Sequence, residues 1–321
     1  MPKININNKR TDCWKADVEL SVEYYNNWFL DFAPQTYVAE RKAATKRVER
    51  AFLQTNDLTT ISPEVLLVDP SLLHIFRMFT APPIARDRLA GLAYLPKSMV
   101  ETLEEGKLPR KRRELLLADL QKIVAVIDQL LDRQLFGWLD TSKAPTKAER
   151  QRAASVIADR LCGTDANPII RNEQERRQIA VLSAYLEQKG YRKIETAHLE
   201  DFRQMQAGTY CDHLAVMVED DAGSKQTKIP VDMLVKPHGS ERFELPVLIE
   251  CKSAGDYTNT NKRQKEEARK MQQLRSTYGN SLHYVLFLCV YFDIPFQGYV
   301  ASEGIDWVWE HRVQDFEVLF G

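Results

Sequence analysis

A change of hydrophobic period near residue 205 constrains this chain more than any other feature. Before it, apolar residues recur at intervals of three and four, with few runs of β-branched residues, which is the period of helices burying one face. After it, short apolar runs bounded by Gly, Pro, Asp or Asn take over: His213 to Val218, Val231 to Val235, Pro246 to Cys251, His283 to Phe292 and Ile305 to Trp309. Such runs read as strands. A polar helical stretch, Asn261 to Tyr278, separates the third from the fourth, so a crossover helix and a mixed sheet are expected. The architecture predicted is α/β, with a large helical N-terminal region over 1–165 and a sheet-bearing core over 166–321.

Within the first part, the pattern predicts helices at Ala16 to Phe32, ending before Pro34, and at Thr36 to Leu53. A third, Arg110 to Phe136, carries an apolar set wide enough to face a core on one side and part of another. Two more run over Lys147 to Leu161 and Asn172 to Gln188, the second ending at Lys189-Gly190, where glycine suits a left-handed cap.

The greasiest segment, Leu115 to Phe136, is interrupted by Asp119, Lys122, Asp128 and Asp132, so no membrane span is expected. The opening residues lack the apolar stretch of an export signal. Five scattered cysteines form no CxxC or Cys/His cluster, which argues against a disulfide framework or structural zinc and fits a reducing, cytoplasmic setting. With 44 basic and 45 acidic residues, a polyanionic partner must be met by a local basic surface. The acidic excess lies after residue 200, with 13 basic against 18 acidic residues, and that is where metal-binding carboxylates are sought.

There, Lys228-Ile-Pro-Val-Asp232 is followed, after seventeen residues, by Glu250-Cys251-Lys252-Ser253 at the end of an apolar strand. Positions two apart share a strand face, so Glu250 and Lys252 project together while Cys251 turns to the buried side. Asp232 sits on the preceding strand, and the seventeen residues between suffice for the two strands to finish side by side, so that two carboxylates and an ammonium would converge at a strand end. Hard carboxylate oxygens suit Mg²⁺, which polarises phosphate and activates water, and a lysine beside them can orient or help deprotonate the attacking water and offset developing charge. The spacing recurs at Glu187-Gln188-Lys189, but on a helix, where residues two apart do not share a face.

These residues carry a resemblance. Asp232 with Glu250-Cys251-Lys252 resembles the PD-(D/E)xK nuclease core, with Pro-Val-Asp in place of an adjacent Pro-Asp. More specifically, the run from Glu250 to Arg263, Lys-Glu-Glu-Ala at 265–268, the segment Glu303 to Arg312, Arg171 to Arg177 and Gly190-Tyr191 resemble type II restriction endonucleases of the XamI kind. Up to residue 160 no family-specific motif is found. The resemblance implies a restriction-endonuclease-like core that cleaves double-stranded DNA at a short palindrome with Mg²⁺, leaving 5′-phosphate and 3′-hydroxyl ends. It also implies a homodimer, a DNA methyltransferase as functional counterpart, and GTCGAC as target if the base-reading residues match. Asp232, Glu250 and the Cys251 backbone carbonyl would hold the metal, and Lys252 would be the catalytic lysine.

Read from the residues alone, Ser253, Asn259, Asn261, Lys262, Arg263 and Lys270 follow the metal site where a DNA backbone would pass. A solvated helix paired i to i+4, as Glu266 with Lys270, explains part of that stretch equally well. Arg110, Lys111, Arg112 and Arg113 form a second candidate DNA contact, because basic residues at a helix start oppose the dipole and want an external anion, with a solvated helix start as the alternative. Glu175 is an accessory-ligand candidate, weighed against a surface ion-pair face around it. Asp256 reads as a cap or a third acidic ligand, His213, His283 and His311 as buried or cross-strand partners, and Asp306 and Glu310 as supports for basic neighbours. The alternatives are a nuclease of the same core directed to DNA repair or structure, and a non-catalytic DNA-binding protein.

Overall fold

The computed structural model describes residues 5–141, 143–196, 199, 201–219, 226–239, 245–254 and 260–321, with the backbone alone for 260–263. The chain runs through α1 (Trp14–Gln54), short helices α2 to α5 (Pro63–Val68, Leu72–Met78, Arg86–Leu92, Lys97–Glu104), α6 (Arg113–Gln129) and α7 (Lys147–Gln188) before the main strands begin. Six strands follow: β1 (Arg192–Lys193), β2 (Thr209–Glu219), β3 (Gln226–Lys236), β4 (Val247–Ala254), β5 (Tyr284–Val290) and β6 (Asp306–Trp309). They lie side by side in chain order. The β2–β3 and β3–β4 pairs are antiparallel, while β1–β2, β4–β5 and β5–β6 are parallel, so the sheet is mixed as expected. The crossover between β4 and β5 is α8 (Thr260–Tyr278), and α9 (Ile294–Ser302) connects β5 to β6.

Two compact units divide the chain: Met1–Phe32 with Arg171–Gly321, and Ala33–Ile170. In the second, Ala44, Val48, Ala51 and Phe52 of α1 are fully buried at helical spacing, and Phe52, Phe79, Phe136 and Trp138 pack ring against ring. On α6, Leu116, Leu120, Ile123, Val124 and Ile127 are buried while Leu115 is 58% exposed. The helix therefore serves one core face, not the wider arc its composition suggests.

Two expected interruptions are absent: α1 continues through Pro34, and α7 runs unbroken across the gap expected between Leu161 and Asn172, with Pro168 inside it. A proline removes one N–H and crowds the carbonyl four residues back, at a cost of about 3 kcal/mol. Burial of apolar residues on both sides, such as Tyr25 and Ala44 on α1 or Leu161 and Leu182 on α7, offsets that cost. At the other end of α7 the glycine cap is as expected, with Gly190 at φ +83.

The first unit stacks helices on both sheet faces. Leu234, Leu248, Leu286 and Leu288 pack with Met271 and Leu274 of α8 and Phe296 of α9. Met233, Ile249, Cys251 and Phe287 pack with Ile179, Leu182 and Leu186 of α7 and with Phe316. The chain start joins this unit because Asp306 accepts the backbone N–H groups of Ile6, Asn7 and Asn8 at 2.6, 2.9 and 3.1 Å. Trp14 packs on Trp307 with ring centroids 5.4 Å apart. Arg312 holds Asp17 at 2.6 Å. Asp306 thus supports backbone amides, not a basic neighbour, because residues remote in sequence supply the donors. Among the described residues, no helix is long and apolar enough to cross a membrane.

Candidate active site

Strand β4 pairs with β3 over only three residue pairs, Val235 with Val247, Leu234 with Leu248 and Met233 with Ile249. Beyond them the two strands part. The parting frees the N–H of Cys251, and the Asp232 carboxylate accepts it at 2.8 Å. Pro230, which has no N–H to give, lies on the part of β3 that β4 has already left.

Glu250 and Lys252 share the face of β4 that also carries Leu248 and Ala254, the α8 side, while Cys251 packs into the opposite layer. The Lys252 ammonium donates to Glu250 Oε1 at 2.7 Å and lies 3.2 Å from Glu267 Oε1. Lys270 of α8 reaches the same Glu250 oxygen at 2.5 Å. Glu267, 2% exposed, also accepts the Tyr284 hydroxyl. Glu250 is 4% exposed, and its second oxygen, Oε2, has no hydrogen-bond partner among the described residues. A buried carboxylate oxygen left in this state costs desolvation energy that a cation would recover.

Asp232 feels the same crowding. Burial first, then the charges of Glu250 and Glu175, push its pKa up to about 6 against the opposing Cys251 N–H and Lys252. Burial alone would lower Lys252, but Glu267 and Glu250 outweigh it and hold the ammonium above its ordinary value. The lysine therefore keeps its charge. Burial, reinforced by Asp232 and Glu250, pushes the Cys251 thiol well above its usual range and leaves it unreactive.

Asp232 stands directly across the β2–β3 ladder from His213. The pairs on either side, Asp212 with Met233 and Leu214 with Val231, keep one register, so no residue is inserted. Instead His213 adopts φ +52, and each strand exchanges faces there: Cys211 but Val216 on β2, and Val231 but Leu234 on β3, lie in the α8 layer. Glu175, from α7, completes the group: one ligand atom each from Glu175, His213 and Asp232 lie within 4.8 Å of one another.

The expected residues thus separate. Asp232, Glu250, Lys252, Glu175 and Lys270 come together, with Ser253 half-buried next along β4. Lys270 is engaged with Glu250, not Glu266. Arg110, Lys111, Arg112 and Arg113 are exposed on the Ala33–Ile170 unit, Lys111 bonded to Asp119 at 2.7 Å. Asp256 and Asn259 lie outside the described residues, as do the side chains of Asn261, Lys262 and Arg263. Near Glu175, Glu173 pairs with Arg176 at 2.6 Å, and Arg177 turns inward to Glu310 at 3.0 Å and over Trp28 at 4.5 Å. Glu310 does support a basic neighbour.

Residues 56–309 match the family described as XamI restriction endonuclease. The chain belongs to the XamI restriction endonuclease family. This XamI-family chain is 48% identical over 313 residues, 97% of its own length and 98% of the relative's, to the type II restriction enzyme SalI of Streptomyces albus G. It is 26% identical over 219 residues, 66% of its length and 71% of the relative's, to the type II restriction enzyme XamI of Xanthomonas campestris pv. amaranthicola. No solved structure matches it. Membership makes the protein a restriction endonuclease and sets aside the repair and non-catalytic alternatives. The XamI-family match begins well before Arg171, so the family character extends through most of the helical unit, where motif reading found no signal.

Sequence reasoning missed two parts of this XamI-family site. Glu267 lies in the stretch that a solvated helix face would explain, although its neighbour Ala268 and the apolar Met271 and Leu274 mark that side of α8 as buried. His213 has no sequence partner at metal spacing, since its neighbours arrive from another strand and a helix.

Proposed function

We propose that the protein is a type II site-specific deoxyribonuclease, cutting double-stranded DNA at a short palindrome by Mg²⁺-dependent hydrolysis to 5′-phosphate and 3′-hydroxyl ends. The observation that carries this reading is the parting of β3 and β4, which leaves Asp232 and the buried, half-unsatisfied Glu250 beside a charged Lys252 in a restriction-endonuclease chain. Asp232, Glu250 and the Cys251 backbone carbonyl are the residues that would hold the ion, with Glu175 within reach as an accessory. When bound, Mg²⁺ supplies a Lewis acid for the phosphate and lowers the pKa of a water.

Lys252 keeps its proton, so its role is to orient the attacking water and offset charge growing on the phosphate, in line with the leaving 3′-oxygen. Lys270 and Glu267 position it and Glu250 from behind. Ser253, Asn259, Asn261, Lys262, Arg263 and the basic run Arg110–Arg113 are assigned to DNA contact, the Ala33–Ile170 unit to DNA grip, dimer contacts and part of the specificity. A homodimer supplies two sites for a two-fold target. A cytoplasmic setting and a protecting DNA methyltransferase complete the proposal, since such cleavage acts on the host's own DNA unless the sites are masked.

Digestion of a large sequenced plasmid tests it, with Mg²⁺, with EDTA, and with Glu250→Ala and Lys252→Ala proteins. Discrete fragments lost in EDTA and in both variants are expected, and mapping their ends gives the target, with GTCGAC the first site to inspect, and the stagger. Cleavage that survives both substitutions would remove this strand end as the active site.

A further inference from the structure

His213 has no role in the hydrolysis described above, yet its placement is unusual. It is an exposed imidazole on a strand, in the left-handed region, directly opposite Asp232, and neither its side chain nor that of Glu175 makes a hydrogen bond or ion pair among the described residues. Ligands about 2.1 Å from one ion stand about 3 to 4 Å apart. The separations within 4.8 Å among Glu175, His213 and Asp232 therefore need only a small side-chain adjustment to meet on a cation. A second observation points to a cation beside Asp232: Glu250, next in the chain to the Cys251 whose N–H Asp232 accepts, is 4% exposed and has a buried oxygen with no hydrogen-bond partner among the described residues.

We propose that His213 is a metal ligand, joining Asp232 and Glu175 in a mixed imidazole–carboxylate seat that takes a divalent transition-metal ion such as Mn²⁺ or Co²⁺. The inference rests on the reading of Asp232 as a metal carboxylate and adds a nitrogen donor to it. An all-oxygen set suits Mg²⁺, whereas imidazole shifts preference toward the transition ions. Asp232 is shared by this seat and the Glu250 side of the site, so occupancy of one influences the other.

Pulsed electron paramagnetic resonance of Mn²⁺ bound to the full-length protein without DNA tests it, alongside competition of Mn²⁺ against Mg²⁺. Wild type is expected to show coupling to one imidazole nitrogen. His213→Asn, whose side chain tolerates the left-handed backbone, is expected to lose that coupling and to bind Mn²⁺ at least tenfold more weakly. Glu175→Gln is expected to weaken Mn²⁺ while keeping the nitrogen signal. Absence of nitrogen coupling in wild type, or its persistence in a folded His213→Asn protein, overturns the proposal. If the coupling is absent while Glu250→Ala still abolishes plasmid cleavage, the inference about His213 fails alone. If the coupling is present but cleavage survives Glu250→Ala and Lys252→Ala, the active-site reading fails and the metal seat stands.

Discussion

The Ala33–Ile170 unit and the sheet-bearing unit differ in what they bury. The helical unit centres on rings, with Phe52, Phe76, Phe79 and Phe136 fully enclosed, and its buried polar residues are few: Thr55, Asp69, Arg77 and Thr80. Among its described residues the sheet-bearing unit buries five carboxylates, Asp17, Glu250, Glu267, Asp306 and Glu310. Four of them are well met, Asp17 by Arg312, Asp306 by backbone N–H groups, Glu267 by Tyr284 and Lys252, and Glu310 by Arg177. Glu250 differs: one oxygen is answered twice and the other has no hydrogen-bond partner among the described residues, whereas the Glu310 oxygen that also lacks a hydrogen bond lies 3.0 Å from the Arg177 guanidinium. A unit whose interior is hydrocarbon is optimised for stability. A unit that holds charge out of water gives up stability to keep it in position, and the buried Glu250 oxygen beside Asp232 is where a cation would recover that cost.

The largest expected effect that would break this contrast is on Asp232→Asn. Cleavage should fall at least about a thousandfold, while the metal-free protein becomes more stable. The sign follows from the raised pKa: an acid whose folded pKa is about 6 against 3.8 destabilises the fold as pH rises through that interval, and fully so above it. Thermal melting at pH 8 without metal should show a gain of up to about 3 kcal/mol. A loss of stability instead would mean that the carboxylate serves the fold.

In the other unit, Phe79→Ala should cost about 3 to 5 kcal/mol, measured by urea unfolding, because Phe79 stacks on Phe52 and meets Phe136 edge-on in a closed core. Its Mg²⁺ affinity under folding conditions should not change. An altered affinity would end the division between packing and site.

The smallest effect sharpens the comparison within the sheet-bearing unit. Burial, and then Arg312, push the His311 pKa down to about 4, and neither ring nitrogen has a hydrogen-bond partner among the described residues. The neutral ring is favoured in the fold, so stability is full above pH 6.5 and falls as pH drops toward 4, by up to about 3 kcal/mol before compensation by neighbouring relaxation. His311→Gln should flatten that slope in pH-dependent melting; an unchanged slope would place the acid sensitivity elsewhere.

Much of the fold could be read from the chain because strand and helix periods are local. The five main strands after residue 205, the crossover helix and the face shared by Glu250 and Lys252 all follow from alternation within a few residues. The break expected before Pro34 and the gap expected between Leu161 and Asn172 are absent for the converse reason: the local cost of a proline such as Pro34 or Pro168 is visible in sequence, and the burial that offsets it is not. The attachment of Ile6 to Asn8 through Asp306, across nearly the whole chain, has no local signal either.

The sequence by itself determined that two carboxylates and a lysine would stand together on neighbouring strands, because alternation within each strand and the order of the strands bring them to one place. Only the tertiary structure decided that β3 and β4 part beyond Ile249, that Lys270 and Glu267 reach back to Glu250 and Lys252, and that Glu175 and His213 meet Asp232. Those contacts depend on strand register and on the seating of α7 and α8 against opposite sheet faces. Register and layer packing are set by the burial of the whole unit at once, and no window of sequence contains it.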